Sequence, residues 1–178
     1  VTISVHRATT IDAALALRLV DLLVDAVDGG ASVNFLAPMD RDLAARFWSG
    51  VARRVDDGSI VLLVATDDER VGADDHVVGT VSVVLVTTPN QLHRFDVAKL
   101  LVHSSARGRG CATLLMETVE RAALDHGRTL GVLDTEAGSV ADRLYRRLGW
   151  QVTGTVPGFA LDPSGVPADA TFFWKRLD

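Results

Sequence analysis

The residues best suited to chemistry stand at 107–110, Arg107-Gly108-Arg109-Gly110, between an apolar run and an amphipathic one. A loop of small residues that enters a helix leaves several backbone N–H groups unpaired and pointing one way. The helix dipole adds partial positive charge at the same place, so such a site favours phosphate or another anion. Glycine at 108 and 110 lets the backbone come close to a bulky pyrophosphate that a Cβ would obstruct. Arg107 and Arg109 add full charges at the rim. The chemistry implied is the binding of a phosphate-bearing ligand.

Several elements must position that loop. Val97–Val102, rich in apolar and β-branched residues, reads as a buried strand within a longer run beginning at Arg94. After the loop, Ala112, Leu115, Met116, Val119 and Ala122 are spaced for one face of a helix, which Gly127 breaks. Leu130–Thr135 is the next strand, parallel to Val97–Val102 through a right-handed crossover. Ser139 and Asp142 form a capping box. Ala141, Leu144, Tyr145 and Leu148 share one face of the helix that follows, and Gly149 ends it.

Upstream, Ile3–Arg7 is a short strand. Thr9 and Asp12 make a capping-box pattern before a helix that buries Leu15, Leu19, Leu22, Leu23 and Ala26 and stops at Gly29-Gly30. Gly29–Asp40 is a loop, and a second helix runs from about Asp40 to Val55. Ile60–Ala65 is an unbroken apolar run, hence a central strand. Asp67–Asp75 is a polar turn, Val77–Val86 the longest strand, and Pro89-Asn90 a turn. Trp150–Val156 and Ala170–Arg176 are the last two strands, separated by a Gly/Pro-rich excursion. The order β-α-α-β-β-β-α-β-α-β-β describes an α+β domain with a mixed sheet, a single domain over 1–178.

At 178 residues the chain can bury a substantial core, and an apolar share of 48% is that of a globular protein. A net charge of −5 excludes wholesale nucleic-acid binding and suits a cationic small molecule. One cysteine, Cys111, leaves no internal disulfide and points to a reducing, cytoplasmic setting. No apolar run is long enough for a membrane span and no signal segment opens the chain. The five histidines, at 6, 76, 93, 103 and 126, have no metal-ligand spacing.

Two phosphate loops compete for the opening motif. A Walker A loop needs Gly-Lys-Ser/Thr at its end, which Gly110-Cys111-Ala112 lacks. The dinucleotide fingerprint is partly met by Gly108-x-Gly110 and by Asp134 at the end of the next strand. Three features count against it. Thr113 replaces the third glycine, five residues separate the strand from Gly108, and hairpins rather than βαβ units precede it.

The residues resemble instead the GNAT superfamily of acyl-CoA-dependent N-acetyltransferases. Its motif, Gln/Arg-x-x-Gly-x-Gly/Ala after the fourth strand, is matched by Arg107-x-x-Gly110-x-Ala112. Its aromatic hydroxyl in the next helix, before a Leu-Gly-Phe/Trp ending, is matched by ADRLYRRLGW at 141–150. Within the superfamily the chain is similar to the tabtoxin-resistance acetyltransferases. The strings that carry this are GGASVNFLAPMD (29–40), SSARGRG (104–110), LDTEAGSVADRLY (133–145) and VPGFALDPSGVPADATFFWK (156–175).

The resemblance implies a mixed sheet with splayed central strands flanked by helices, and acetyl-CoA as cosubstrate without a metal. It lays the pyrophosphate on the N–H groups of Arg107, Gly108, Arg109, Gly110, Cys111 and Ala112. The pantetheine arm runs beside the Leu100–His103 backbone, with a strand N–H near Leu101 or Val102 polarising the thioester. Histidine at 103 also suits an ordinary strand end.

An amine must be neutral to attack, so a group must accept its proton. Asp96 and Asp134 are placed for this and for binding the acceptor, with Glu136 a further candidate. The tabtoxin-resistance pattern has an acid one methylene longer where Asp96 stands, which favours a bridging water there. Tyr145 matches the superfamily's acid for the departing thiolate. Ser32 and Asn34 line the acceptor pocket, and Cys111 is packing, not a nucleophile.

The activity implied is direct acetyl transfer to a small-molecule amine, with a tabtoxin-type β-lactam amino acid foremost and antibiotic resistance as its setting. The alternatives are another amine (antibiotic, polyamine or protein N-terminus) or a non-catalytic acyl-CoA sensor. Superfamily members are often homodimers.

Overall fold

The wholly apolar run at 60–65 needs cover on both faces of a sheet. The computed structural model, which describes residues 3–67 and 77–178, supplies that cover. The expected polar turn, beyond Asp67 itself, and His76 lie outside the described residues. The strands are β1 (Ile3–Ala8), β2 (Ile60–Asp67), β3 (Val77–Leu85), β4 (Arg94–Val102), β5 (Leu130–Glu136), β6 (Gln151–Leu161) and β7 (Pro167–Arg176). The helices are α1 (Ala13–Asp28), α2 (Arg41–Asp56), α3 (Cys111–Asp125) and α4 (Val140–Arg147). Among the described residues the sheet order is β1-β2-β3-β4-β5-β7-β6. Of these pairings, β4–β5 is parallel and the rest are antiparallel.

Strand periodicity divides the core in two. Val61, Leu63 and Ala65 of β2 join Leu115, Met116 and Val119 of α3, along with Tyr145 and Leu144 of α4. Ile60, Leu62 and Val64 point the other way, into Leu19, Leu22 and Leu23 of α1 and Trp48 and Val51 of α2. Each α-face therefore has its own apolar layer, and β2 is buried along its whole length.

Some local expectations change. Asp12, not Thr9, is the N-cap of α1, its carboxylate accepting from the Leu15 N–H at 2.8 Å. Ser139 caps α4 through the Asp142 N–H, but the Asp142 carboxylate turns back to Gly138 N–H at 3.1 Å rather than to the cap residue. The buried stripe of α3 includes Cys111 and Ala123, while Ala112 and Ala122 are only partly covered.

The last two strands are longer than the sequence suggested, and the excursion between them contracts to a tight turn. The Asp162 carboxylate accepts from Ser164 N–H and Val166 N–H, both at 2.9 Å, which closes that turn. A register shift between Val156 and Ala160 absorbs the residues left over.

Two irregularities shape the centre. β4 pairs with β5 only from Arg94 to Asp96, against Leu130 to Val132, and the strands then part. On its other side, β4 slips by one residue against β3 between Thr80 and Ser82, and Lys99 inside this bulge has φ 55°. A left-handed non-glycine residue costs roughly 1–2 kcal/mol, so the surrounding packing must impose it.

Where β4 and β5 do pair, contact is close. A Cβ at Gly131 would lie 2.6 Å from Phe95 Cζ and 2.7 Å from Trp150 Cη2, and both of those rings are buried. Neither can yield without disturbing the core. Gly131→Ala should cost roughly 1–3 kcal/mol of stability by overpacking. Urea denaturation should show this as a lowered midpoint with an unchanged slope.

Candidate active site

The parting of β4 and β5 opens the sheet between two adjoining concavities. The first is a groove of about 750 Å³. Its walls are the residues after α1 (Gly29 to Val33), Leu100, Leu101 and Val102 of β4, the loop entering α3, and the first turns of α4. The second is a cavity of about 120 Å³ that includes Ser32, Asn34, Lys99, Asp134, Glu136 and Tyr145. Ser32, Val33, Leu100, Thr135 and Glu136 line both, so one continues into the other.

At the groove, α3 begins on Gly110, whose φ of 82° no other residue type adopts cheaply and whose cap position carries no side-chain hydrogen bond. The first-turn N–H groups of α3 are thus not capped by a side chain. Gly108 is also left-handed at φ 74°, and a Cβ at either glycine would project into open space. α3 starts close against the sheet because Gly79 permits it: a Cβ there would meet Cys111 Sγ at 2.9 Å and Leu101 O at 3.0 Å.

The two loop arginines have different fates. Arg107 lines the groove, its Nε 3.4 Å from the Val102 carbonyl, with its guanidinium packed against Gly29. Arg109 Nη1 instead pairs with Asp67 Oδ2 at 2.9 Å, and Arg109 does not line the groove. The Asp67 side chain is 4% exposed, and a carboxylate so buried requires a counter-ion. His103 does not line the groove either. It caps the short turn at 104–106, its Nδ1 accepting from Ser105 N–H at 3.2 Å. Gly108, Gly110, Cys111, Ala112, Leu101 and Val102 all line it.

Sequence reasoning missed Asp25. Its carboxylate accepts from Ser104 N–H and from Ser104 Oγ, each at 2.7 Å, and so ties the loop to α1. Asp28, one turn on, accepts from Met39 N–H at 2.8 Å and anchors the far end of the 29–40 loop. A signal existed. Two acids in the last turn of a helix oppose its dipole and imply partners elsewhere.

In the cavity, Asp134 projects from β5, and Tyr145 reaches it from α4. The Tyr145 ring is held between Trp150 and Phe173, with centroids at 6.2 and 5.7 Å. The α4 N-terminus is itself fixed by buried Asp142. Burial would raise that carboxyl, but hydrogen bonds from Arg146, the Gly138 N–H and Thr171 together hold it below the usual range. Asp96 does not line the cavity; it pairs with Arg94 Nε at 3.3 Å. Ser32 and Asn34 do line it, Asn34 with a left-handed φ of 72°.

Burial dominates the electrostatics. It raises the Asp134 carboxyl, with the Asp96 charge adding and Lys99 opposing. It also raises Asp96 against the pull of Arg94. Burial, with the Asp134 charge adding, pushes the Tyr145 phenol well above its ordinary value, and burial draws the Lys99 ammonium down against Asp134. The Cys111 thiol is pushed up to about 11 by burial, and so remains protonated at neutral pH. Among the described residues, no group of three His, Cys, Asp or Glu could hold a metal, and no helix is long and apolar enough to cross a membrane.

Comparison with known proteins identifies the architecture. The family model for the acetyltransferase (GNAT) domain matches residues 58–152, more than half of the chain, and the chain belongs to that family. A ribosomal-protein-alanine N-acetyltransferase from Brucella melitensis is 23% identical, with a TM-score of 0.77 over 98% of this chain and 99% of that one. A protein from Acinetobacter baylyi, provisionally assigned as an acetyltransferase, has a TM-score of 0.80 at 20% identity, over 99% and 93%. A GNAT superfamily phosphinothricin acetyltransferase from Sinorhizobium meliloti, solved in complex with acetyl-CoA, has a TM-score of 0.75 at 16% identity, over 99% and 89%. At these identities the likeness is one of fold.

The raised carboxyl at Asp134 has a thermodynamic consequence. The native state holds that proton more tightly than the unfolded chain, so stability falls as pH rises from the unfolded value through the folded one. Asp134→Asn should match the wild type near about pH 4 and exceed it at pH 7. Urea midpoints measured across that range would show the gap opening with pH; parallel curves would contradict it.

Proposed function

We propose that this chain, as one transferase domain, moves the acetyl group of acetyl-CoA directly to the amine of a small molecule. The observation that carries the reading is the single opening between β4 and β5, with a phosphate-suited groove at one end and an acid-lined cavity at the other. The groove has the features a long pyrophosphate-bearing cosubstrate needs. These are the uncapped first turn of α3, two left-handed glycines facing open space, and Arg107 on the wall. When bound, acetyl-CoA supplies an activated acetyl group on a thiol leaving group.

The residues divide the remaining work. The backbone at 107–112 and the Arg107 side chain hold the pyrophosphate, and β4 from Leu100 to Val102 guides the arm. An N–H at Leu101 or Val102 polarises the carbonyl oxygen. Asp134 draws in the ammonium of the acceptor and takes its proton, leaving the nitrogen lone pair free to attack. Its raised pKa makes it a better base than an ordinary carboxylate. Asp96 acts at one remove, its charge helping to raise Asp134. Tyr145, kept as a neutral phenol by burial, gives its proton to the departing thiolate. The buried, protonated Cys111 thiol offers no nucleophile, which supports transfer without an acyl-enzyme.

For the acceptor, the resemblance of four strings to the tabtoxin-resistance enzymes favours a tabtoxin-type β-lactam amino acid. A second reading, a polyamine, draws on the three carboxylates that line the cavity, those of Asp134, Glu136 and Asp169. A thiol-release assay over both classes with acetyl-CoA tests the activity, and tight acetyl-CoA binding with no release from any acceptor would mark a sensor instead.

Within an active enzyme, Tyr145→Phe should lower kcat by about 10²-fold or more and leave acetyl-CoA affinity nearly intact. Unchanged turnover would remove Tyr145 as the acid. Gly110→Val places a β-branched residue at φ 82° and a side chain in the groove. Calorimetry should show acetyl-CoA affinity falling by at least about tenfold, whereas unaltered affinity would refute the backbone cradle.

A further inference from the structure

Four charged side chains line the acceptor cavity, and one of them, Lys99, is a cation. Its Nζ lies 5.8 Å from the Phe35 ring centroid and 5.4 Å from that of Phe47. The two rings pack edge to face at 5.4 Å, and Phe47 is backed in turn by buried Trp48 at 5.0 Å. The ammonium is therefore held by a fixed aromatic support. Cation–π attraction satisfies part of its charge but none of its three hydrogen-bond donors. Lys99 makes no hydrogen bond or ion pair among the described residues. It is also held left-handed in the β4 bulge, a conformation that lysine gains nothing from locally.

Asp134 stands across the opening, close enough for its charge to be felt at Lys99, yet the two do not form an ion pair. We propose that Lys99 receives the carboxylate of the acceptor while Asp134 receives its amine, so that the site takes zwitterionic amines of the amino-acid class. This inference rests on the reading of the cavity as the acceptor site. A ligand with an ammonium and a carboxylate bridges the gap with complementary charge at each end. A diamine sets its second cation against Lys99, where repulsion and desolvation act together. Glu136 and Asp169 remain to bind further cationic or hydroxyl groups of a larger acceptor.

Lys99 and Lys175 are the two lysines of the chain, and Lys175 is tied to Glu120 and the Leu148 carbonyl. Labelling lysine with ¹³C at Cε thus yields two NMR signals, one a built-in reference. The probes are L-lysine, L-ornithine and L-homoserine with their decarboxylated amines, in the presence of CoA. The acids should move the Lys99 signal further than their amines do, and Lys175 should stay still throughout.

In thiol-release kinetics with acetyl-CoA, the acids should be favoured over their amines. Lys99→Met should lower kcat/KM for the acids by about tenfold or more relative to that for their amines, mainly through KM. Lys99→Gly removes the ammonium and relieves the left-handed strain, so the same loss in that variant is not an effect of backbone strain; Lys99→Arg should restore part of the preference.

Wild-type enzyme that acetylates amines as well as acids would overturn the inference, as would a Lys99 signal unmoved by every acid. A Lys99 signal that responds to acids while no acceptor releases thiol would keep the site and overturn the transfer reading instead.

Discussion

The structure depends on a parallel strand pair that stays together for only three residues. β4 and β5 pair at Arg94–Asp96 and Leu130–Val132, where Phe95 and Trp150 lock against Gly131, and then diverge. Each strand keeps its other neighbour beyond that point: β4 remains on β3, and β5 remains on β7 as far as Glu136 opposite Ala170. The sheet is therefore split from one edge without being broken. Among the described residues, backbone on the open side of β4 beyond Asp96 has no strand partner, which leaves it available to a ligand. Both concavities, and every residue proposed for transfer, follow from this divergence.

A gap in a sheet is stable only if its margins are held. The loop that enters α3 and the loop at 29–40 are both anchored on α1, through Asp25 to Ser104 and through Asp28 to Met39. The Ala37 N–H bonds to the Pro163 carbonyl at 2.8 Å, which joins the same loop to the β6–β7 turn. One short helical end thus sets the spacing between the groove and the cavity. The bulge at Lys99 is the complementary device on β4, because a one-residue slip re-aims the side chains that follow it. Phe95 and Val97 lie in one core layer and Leu101 in the other.

Electrostatics at the cavity are costly to stability and useful to chemistry for the same reason. Partial burial disfavours charge on Asp134, Asp96 and Lys99 and keeps Tyr145 neutral. A carboxylate that prefers its proton is a stronger base, whereas the same burial holds the Tyr145 proton more tightly and makes the phenol a weaker acid than in water. These charges sit between two apolar layers whose packing supplies the stability the site does not. Arg109 illustrates the division of roles: it neutralises buried Asp67 below the groove, whereas Arg107, two residues earlier, is on the groove wall.

Much of this was legible in the chain itself. Apolar periodicity marked the strands and helices in their order, because burial on one or two faces dictates period 3.6, period 2 or an unbroken run. The glycines at 108 and 110 marked the turn into α3, since their positive φ is a backbone conformation that a Cβ disfavours. The motif pair around Arg107 and Tyr145 pointed to the family, and Ser32, Asn34 and Asp134 do line one cavity.

Other features required the tertiary structure. That Arg109 serves Asp67, that Asp96 lies outside the cavity, and that Asp25 holds Ser104 depend on how distant segments pack. Lys99 gave no signal in the sequence, because its role comes from a register slip and from aromatic rings more than fifty residues away in the chain. Local patterns record what each segment must bury. Only the packing of strands against one another decides which charged groups come to line one cavity, and with it the chemistry they can do.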